Sequence, residues 1–196
     1  MDPAVSQRKF DREIAEFRSQ ANEYGRRGWF LAEAEFPCAL VILATAKTQP
    51  ISIMCGVWFD YSNYDAAPPS VRLVHPLTRE PYRWSELPTR LPKSVPPPDA
   101  GQAAQPMPPG IVLAVQQPYM QAHGDDDVPF LCVAGVREYH EHPAHSGDHW
   151  ESHRPLGAGR LVRLVAVISK YGLETINGFE VQMQPMIRFS FGAAPE

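Results

Sequence analysis

Four short β-rich runs follow one another between Phe30 and Val74, joined by links too short to hold a crossover helix. They read Phe30 to Phe36, Ala39 to Ala46, Ser52 to Phe59 and Ser70 to Val74, split by Pro37, by Thr48-Gln49-Pro50 and by a loop containing Pro68-Pro69. A parallel connection needs roughly a dozen residues or more. The runs are therefore expected to pair in order, as a four-stranded antiparallel meander.

Helical periodicity flanks the meander. Phe10, Ile14, Phe17, Ala21 and Tyr24 recur every three or four positions and predict a helix from Phe10 to Arg27, closed by Gly25 and Gly28. Leu161, Leu164, Val165, Ile168 and Tyr171 predict a second over Leu156 to Tyr171, stopped by Gly172. Helices packed on one face of an antiparallel sheet make an α+β fold. The length suits one domain over residues 1–196.

Two segments stand outside that pattern. From about 77 to 109 prolines crowd a stretch with few core-forming residues; proline cannot donate to a ladder, so this reads as a loop insertion, polyproline or disordered near 95–109. A C-terminal extension, about 173–196, carries the turn signal Asn177-Gly178 and two weaker strands, Phe179 to Met183 and Met186 to Phe191. Further strands are expected at Gly110 to Val115 and Phe130 to Val136.

Composition narrows the function classes. The net charge is -4 with no basic stripe, which argues against nucleic acid. The first residues lack the apolar core of a signal peptide and no run approaches the ~20 residues of a membrane span. Cys38, Cys55 and Cys132 are odd in number and widely spaced, which argues against a disulfide framework and for a reducing compartment, so the protein is expected in the cytoplasm, away from membranes.

The chemistry concentrates after Cys132. Five of the seven histidines, His140, His142, His145, His149 and His153, fall within fourteen residues, with Glu138 and Asp148 among them. A thiolate beside imidazoles serves as a nucleophile, because a nearby base or positive charge activates it. It serves equally as a zinc ligand, because sulfur and imidazole nitrogen suit that metal. The first reading takes Cys132 as nucleophile with His140, His142, Glu138 and Asp148 around it, and no cofactor. The alternative takes Cys132, Glu138, His140, His142, His145 and His149 as zinc ligands. Cys38 and Cys55 read as core.

The order of elements, with Phe59-Asp60-Tyr61 leading to Ala67-Pro68-Pro69-Ser70-Val71, the Leu131-Cys132-Val133 segment, and Trp150 before the last helix, resembles the ubiquitin-conjugating enzymes. That resemblance implies a UBC-like fold with Cys132 accepting a ubiquitin-like protein as a thioester from a ubiquitin-activating-like enzyme and handing it to an amine. The family's histidine-proline-asparagine signature has no match here, since His75-Pro76 is followed by Leu77. The Cys132, Glu138 and clustered-histidine pattern also resembles a bacterial family of predicted metal-binding domains with a Cys-Glu-His-His signature. Those proteins are encoded in operons for ubiquitin-like conjugation, which implies a bacterial system and a role in antiviral defence. On that second resemblance the protein is a non-catalytic zinc-binding adaptor.

Overall fold

A computed structural model describes residues 2–94 and 116–178. The chain opens with helix α1 (Pro3–Ser19) and the short α2 (Ala21–Arg26). The single helix expected from Phe10 to Arg27 is thus two, and the first begins a full two turns earlier. Its start is set by Asp2, whose side chain accepts the Ala4 N–H at 2.9 Å, and by Pro3 in the first turn, where no intrahelical donor is needed. Phe10, Ile14 and Phe17 form its buried stripe.

Four strands follow in order: β1 (Trp29–Glu35), β2 (Cys38–Thr45), β3 (Ser52–Asp60) and β4 (Ser70–Val74). They form one antiparallel sheet in the order β1-β2-β3-β4, the expected meander. In register, Ala39 faces Phe59 and Phe59 faces Val71. Those residues, with Val41, Val57 and Leu73, point to the core, while Trp58, Asp60, Ser70 and Arg72 alternate onto the opposite face. Gly28 makes the entry to β1 possible. It sits at φ 79°, and a Cβ there would lie 2.0 Å from the carbonyl oxygen of Ala44.

Beyond β4, much of the expected loop is anchored. A bridge pairs Val74 with Pro81, Trp84–Glu86 forms a 3-10 turn, and β5 (Pro92–Ser94) pairs with β6 (Gln116–Pro118). Leu91 is fully buried, and Tyr82, Trp84 and Leu87 pack on the core. These few apolar residues pin residues 77–94, which a reading weighted toward prolines undervalued. The expected strands at 110–115, 179–183 and 186–191, and the polyproline reading of 95–109, lie outside the described residues.

The strand expected over Phe130 to Val136 is only two residues long. β7 (Met120–Gln121) pairs with β8 (Phe130–Leu131), after which the chain turns. Helix α3 (Arg137–Glu141), a 3-10 turn at Pro143–His145, α4 (Trp150–His153) and a second 3-10 turn at Arg154–Leu156 lead to α5 (Leu161–Gly172). The last helix starts at Leu161 rather than Leu156, because Gly157 turns left-handed at φ 68° and breaks the run. Leu161, Leu164, Val165 and Ile168 are buried against the same core as α1 and the sheet. Trp150 joins that core and donates its indole N–H to the Asp65 carbonyl oxygen at 3.0 Å.

Candidate functional site

Cys132 follows directly on β8, where the ladder stops. Its N–H donates to the carbonyl oxygen of Tyr119 at 2.7 Å, and Val133 N–H turns back to the carbonyl oxygen of Leu131 at 2.9 Å. The turn finishes at Gly135, φ 109°, where a Cβ would come within 2.4 Å of the Ala158 carbonyl oxygen. Only glycine fits so close to the segment that leads into α5. The thiol is half-buried as a result.

One imidazole meets it. The Sγ of Cys132 lies 3.3 Å from Nε2 of His145. His145 is held from behind by Tyr139, whose ring stacks on it at 4.0 Å between centroids and 20° between planes. The Tyr139 hydroxyl donates to Oδ2 of Asp148 at 2.6 Å, and Nε2 of His153 meets Oδ1 of the same carboxylate at 2.5 Å. Thus Asp148 orients an imidazole, as its chemistry allows, but the imidazole is that of His153. Those two partners, the Tyr139 hydroxyl first, hold the Asp148 carboxyl below its usual range. Burial and the bond to Asp148 push the Tyr139 phenol up to about 12, so it stays neutral and donating.

His145 was expected only as a zinc ligand, while the residues expected beside the nucleophile, His140, His142, Glu138 and Asp148, do not bond the thiol. His140 receives the Gly135 N–H on Nε2 and gives its Nδ1 hydrogen to the Asp148 carbonyl oxygen, so both nitrogens are occupied with backbone. His142 stacks on Phe130 at 5.1 Å and on His123 at 5.8 Å, and its Nδ1 accepts the Ala144 N–H at 3.2 Å. His149 is exposed. Glu138 lies on another side of α3, where Oε1 accepts the Ser70 hydroxyl hydrogen and sits 3.9 Å from Arg72. Among the described residues, no three His, Cys, Asp or Glu side chains converge on a point that would hold a metal ion. The donor set of the zinc alternative is therefore scattered: Glu138 and His140 are committed elsewhere, and His149 faces solvent.

The electrostatics of the thiol pull both ways. Burial pushes the Cys132 thiol up, and the Lys93 ammonium, reaching over from β5, draws it down by less. Lys93 sits 5.3 Å above the ring of Tyr119, the residue whose carbonyl holds the Cys132 N–H. Sequence spacing had no means to find Lys93, because a long proline-rich stretch separates it from the cysteine. His123 was missed for a similar reason: it stands outside the cluster and meets His142 only through the β7–β8 pairing. Cys55 is core, as expected, whereas Cys38 at the start of β2 is only partly buried.

The chain matches the Y4jH-like family over residues 1–176. It belongs to the Y4jH family. It is also 40% identical over 195 residues to the uncharacterized protein y4jH of Sinorhizobium fredii, an alignment spanning 94% of this chain and 90% of the relative. Among the described residues no helix is long and apolar enough to cross a membrane.

Proposed function

We propose that this Y4jH-family protein is a UBC-like carrier that takes the C-terminal carboxyl of a ubiquitin-like protein onto Cys132 as a thioester and passes it to an amine. The observation that carries this reading is the 3.3 Å approach of His145 Nε2 to Cys132 Sγ at the end of a short strand. The element order before and after it supports the same reading.

Two acyl transfers make up the cycle. The Cys132 thiolate attacks the thioester carbonyl on an activating enzyme; a new C–S bond forms, the old one breaks, and the activating enzyme's thiol leaves with a proton. An amine then attacks the Cys132 thioester, an amide forms, and the departing thiolate takes back a proton. In this reading His145 accepts the thiol proton in the first transfer and returns one in the second. The reaction needs no metal or organic cofactor on this protein. A place in a bacterial conjugation operon, and a role in antiviral defence, go with this reading.

The test combines the protein with ATP, a bacterial ubiquitin-activating-like enzyme and that enzyme's ubiquitin-like protein, resolved on gels with and without thiol reductant. Expected are a reductant-sensitive adduct for the native chain, none for Cys132→Ala, and a reductant-resistant ester for Cys132→Ser. An adduct that persists in Cys132→Ala, or none at all although the activating enzyme is charged, sinks the proposal.

A further inference from the structure

A cavity of about 610 Å³ opens on the face of the sheet opposite the core. Trp58 of β3, Ser70 and Arg72 of β4, and Glu138 and Glu141 of α3 line it. The helix that offers Tyr139 to His145 thus offers Glu138 and Glu141 to a separate space.

The charges there do not close on themselves. Arg137, also at the wall, is consumed: its guanidinium bonds the Asp60 carboxylate and the carbonyl oxygens of Asp60, Ser62 and Pro68. Arg79 is paired with Glu33. That leaves Arg72, whose nearest nitrogen stops 3.9 Å from Glu138 Oε1, beyond hydrogen-bond reach. Glu138 Oε1 is taken by the Ser70 hydroxyl, while Oε2 is shut away from water with no donor among the described residues. Glu141 has no ion pair among them. Two carboxylates stand against one loosely placed guanidinium, beside the flat indole of Trp58.

A buried carboxylate oxygen without a donor has given up its hydration for nothing in return, so such a group calls for a partner. The partner that fits is a cation with several donors and a flat face. A guanidinium can fork onto a carboxylate and stack on an indole at once, which an ammonium cannot. We propose that this cavity binds the guanidinium of an arginine side chain on a partner polypeptide, with Glu138 as its carboxylate anchor and Trp58 as its stacking wall. A turn about the last side-chain bond moves both oxygens together, so Glu138 exchanges its bond to the Ser70 hydroxyl for the fork of the incoming guanidinium. The site is independent of whether Cys132 is a nucleophile.

The test titrates acetyl-arginine methylamide, and its neutral isostere acetyl-citrulline methylamide, into the full-length protein while amide and indole NMR shifts are followed. Free arginine, run in parallel, separates a chain-borne residue from the free amino acid. Expected is saturable binding of the capped arginine, with shifts centred on Trp58, Ser70 and Glu138, at least about tenfold weaker for citrulline and for Glu138→Gln. Equal binding of the two capped probes, shifts scattered over the surface, or an unchanged Kd in Glu138→Gln overturns the proposal, as does tighter binding of free arginine. Should Glu138→Gln fail to fold, the arginine-citrulline ratio on the native protein decides alone.

Discussion

His140 gives its Nδ1 hydrogen to the Asp148 carbonyl oxygen at 2.8 Å and takes the Gly135 N–H on Nε2 at 3.3 Å. A carbonyl only accepts and an amide N–H only donates, so the two ring nitrogens take complementary roles, Nδ1 giving and Nε2 receiving. It fastens the turn after Cys132 to the loop that carries Asp148. Replacing His140 with Ala should destabilise the fold by about 1–3 kcal/mol, since two part-buried backbone groups lose their partners. The exposed His149→Ala should stay within about 0.5 kcal/mol of the native protein. Urea unfolding of both variants checks the contrast.

The thiol should label late on a pH scale. Burial outweighs Lys93 and places the Cys132 pKa above the ordinary thiol value, so the thiolate fraction, and with it the rate of iodoacetamide labelling, should still be climbing above about pH 8.5. Lys93→Met removes the opposing charge and should shift the profile further toward high pH, slowing labelling at pH 8. Native labelling followed by intact mass reads both effects. A profile unmoved by Lys93→Met would remove this lysine from the site.

Gly135→Ala should be among the most damaging single changes. Its φ of 109° disfavours any side chain, and the added Cβ would stand 2.4 Å from a backbone oxygen that cannot step aside. A loss of about 3 kcal/mol or more is expected, with the damage concentrated at the Cys132 turn. Thermal unfolding together with the thiol labelling rate measures it.

Glu13 should make stability fall as pH rises. It is 1% exposed, and burial raises its carboxyl pKa despite Arg12 and Arg160 and the Leu161 N–H that it accepts at 3.2 Å. Tyr61 and Tyr64 face it as well. Between the ordinary glutamate value of about 4.3 and the higher value in the fold, the native state holds a proton the unfolded chain has lost, so stability declines upward through that window. Glu13→Gln keeps an acceptor for Leu161 and should lack this decline. Urea unfolding across the acid range compares the two slopes.

The meander was legible because short links and alternating apolar runs leave an antiparallel sheet few other pairings; β4 matched its expected bounds, β3 ran one residue further, and β1 and β2 each began and ended one residue earlier. The start of α1 was not read, although Asp2 and Pro3 signal it, because its apolar stripe begins only at Phe10. Val133, Ala134 and Val136 look like strand by residue type, yet Gly135 turns the chain there. Around Cys132 the sequence pointed to His140 and His142 as the imidazoles beside the nucleophile, whereas the one that meets the thiol is His145. The choice depends on which face of two short helical turns each imidazole occupies, and five-residue elements show no periodicity to reveal it.

The ladder that carries the cysteine, Met120–Gln121 against Phe130–Leu131, is two residues long, and one further bond from Cys132 N–H to Tyr119 extends it. So few backbone bonds can let go while the four-stranded sheet stays intact. Amide hydrogens there should exchange earlier than those of β2 and β3. Any reagent or partner that reaches for the sulfur then meets a hinge whose opening equilibrium, as well as the acidity of the thiol, governs how fast the two react.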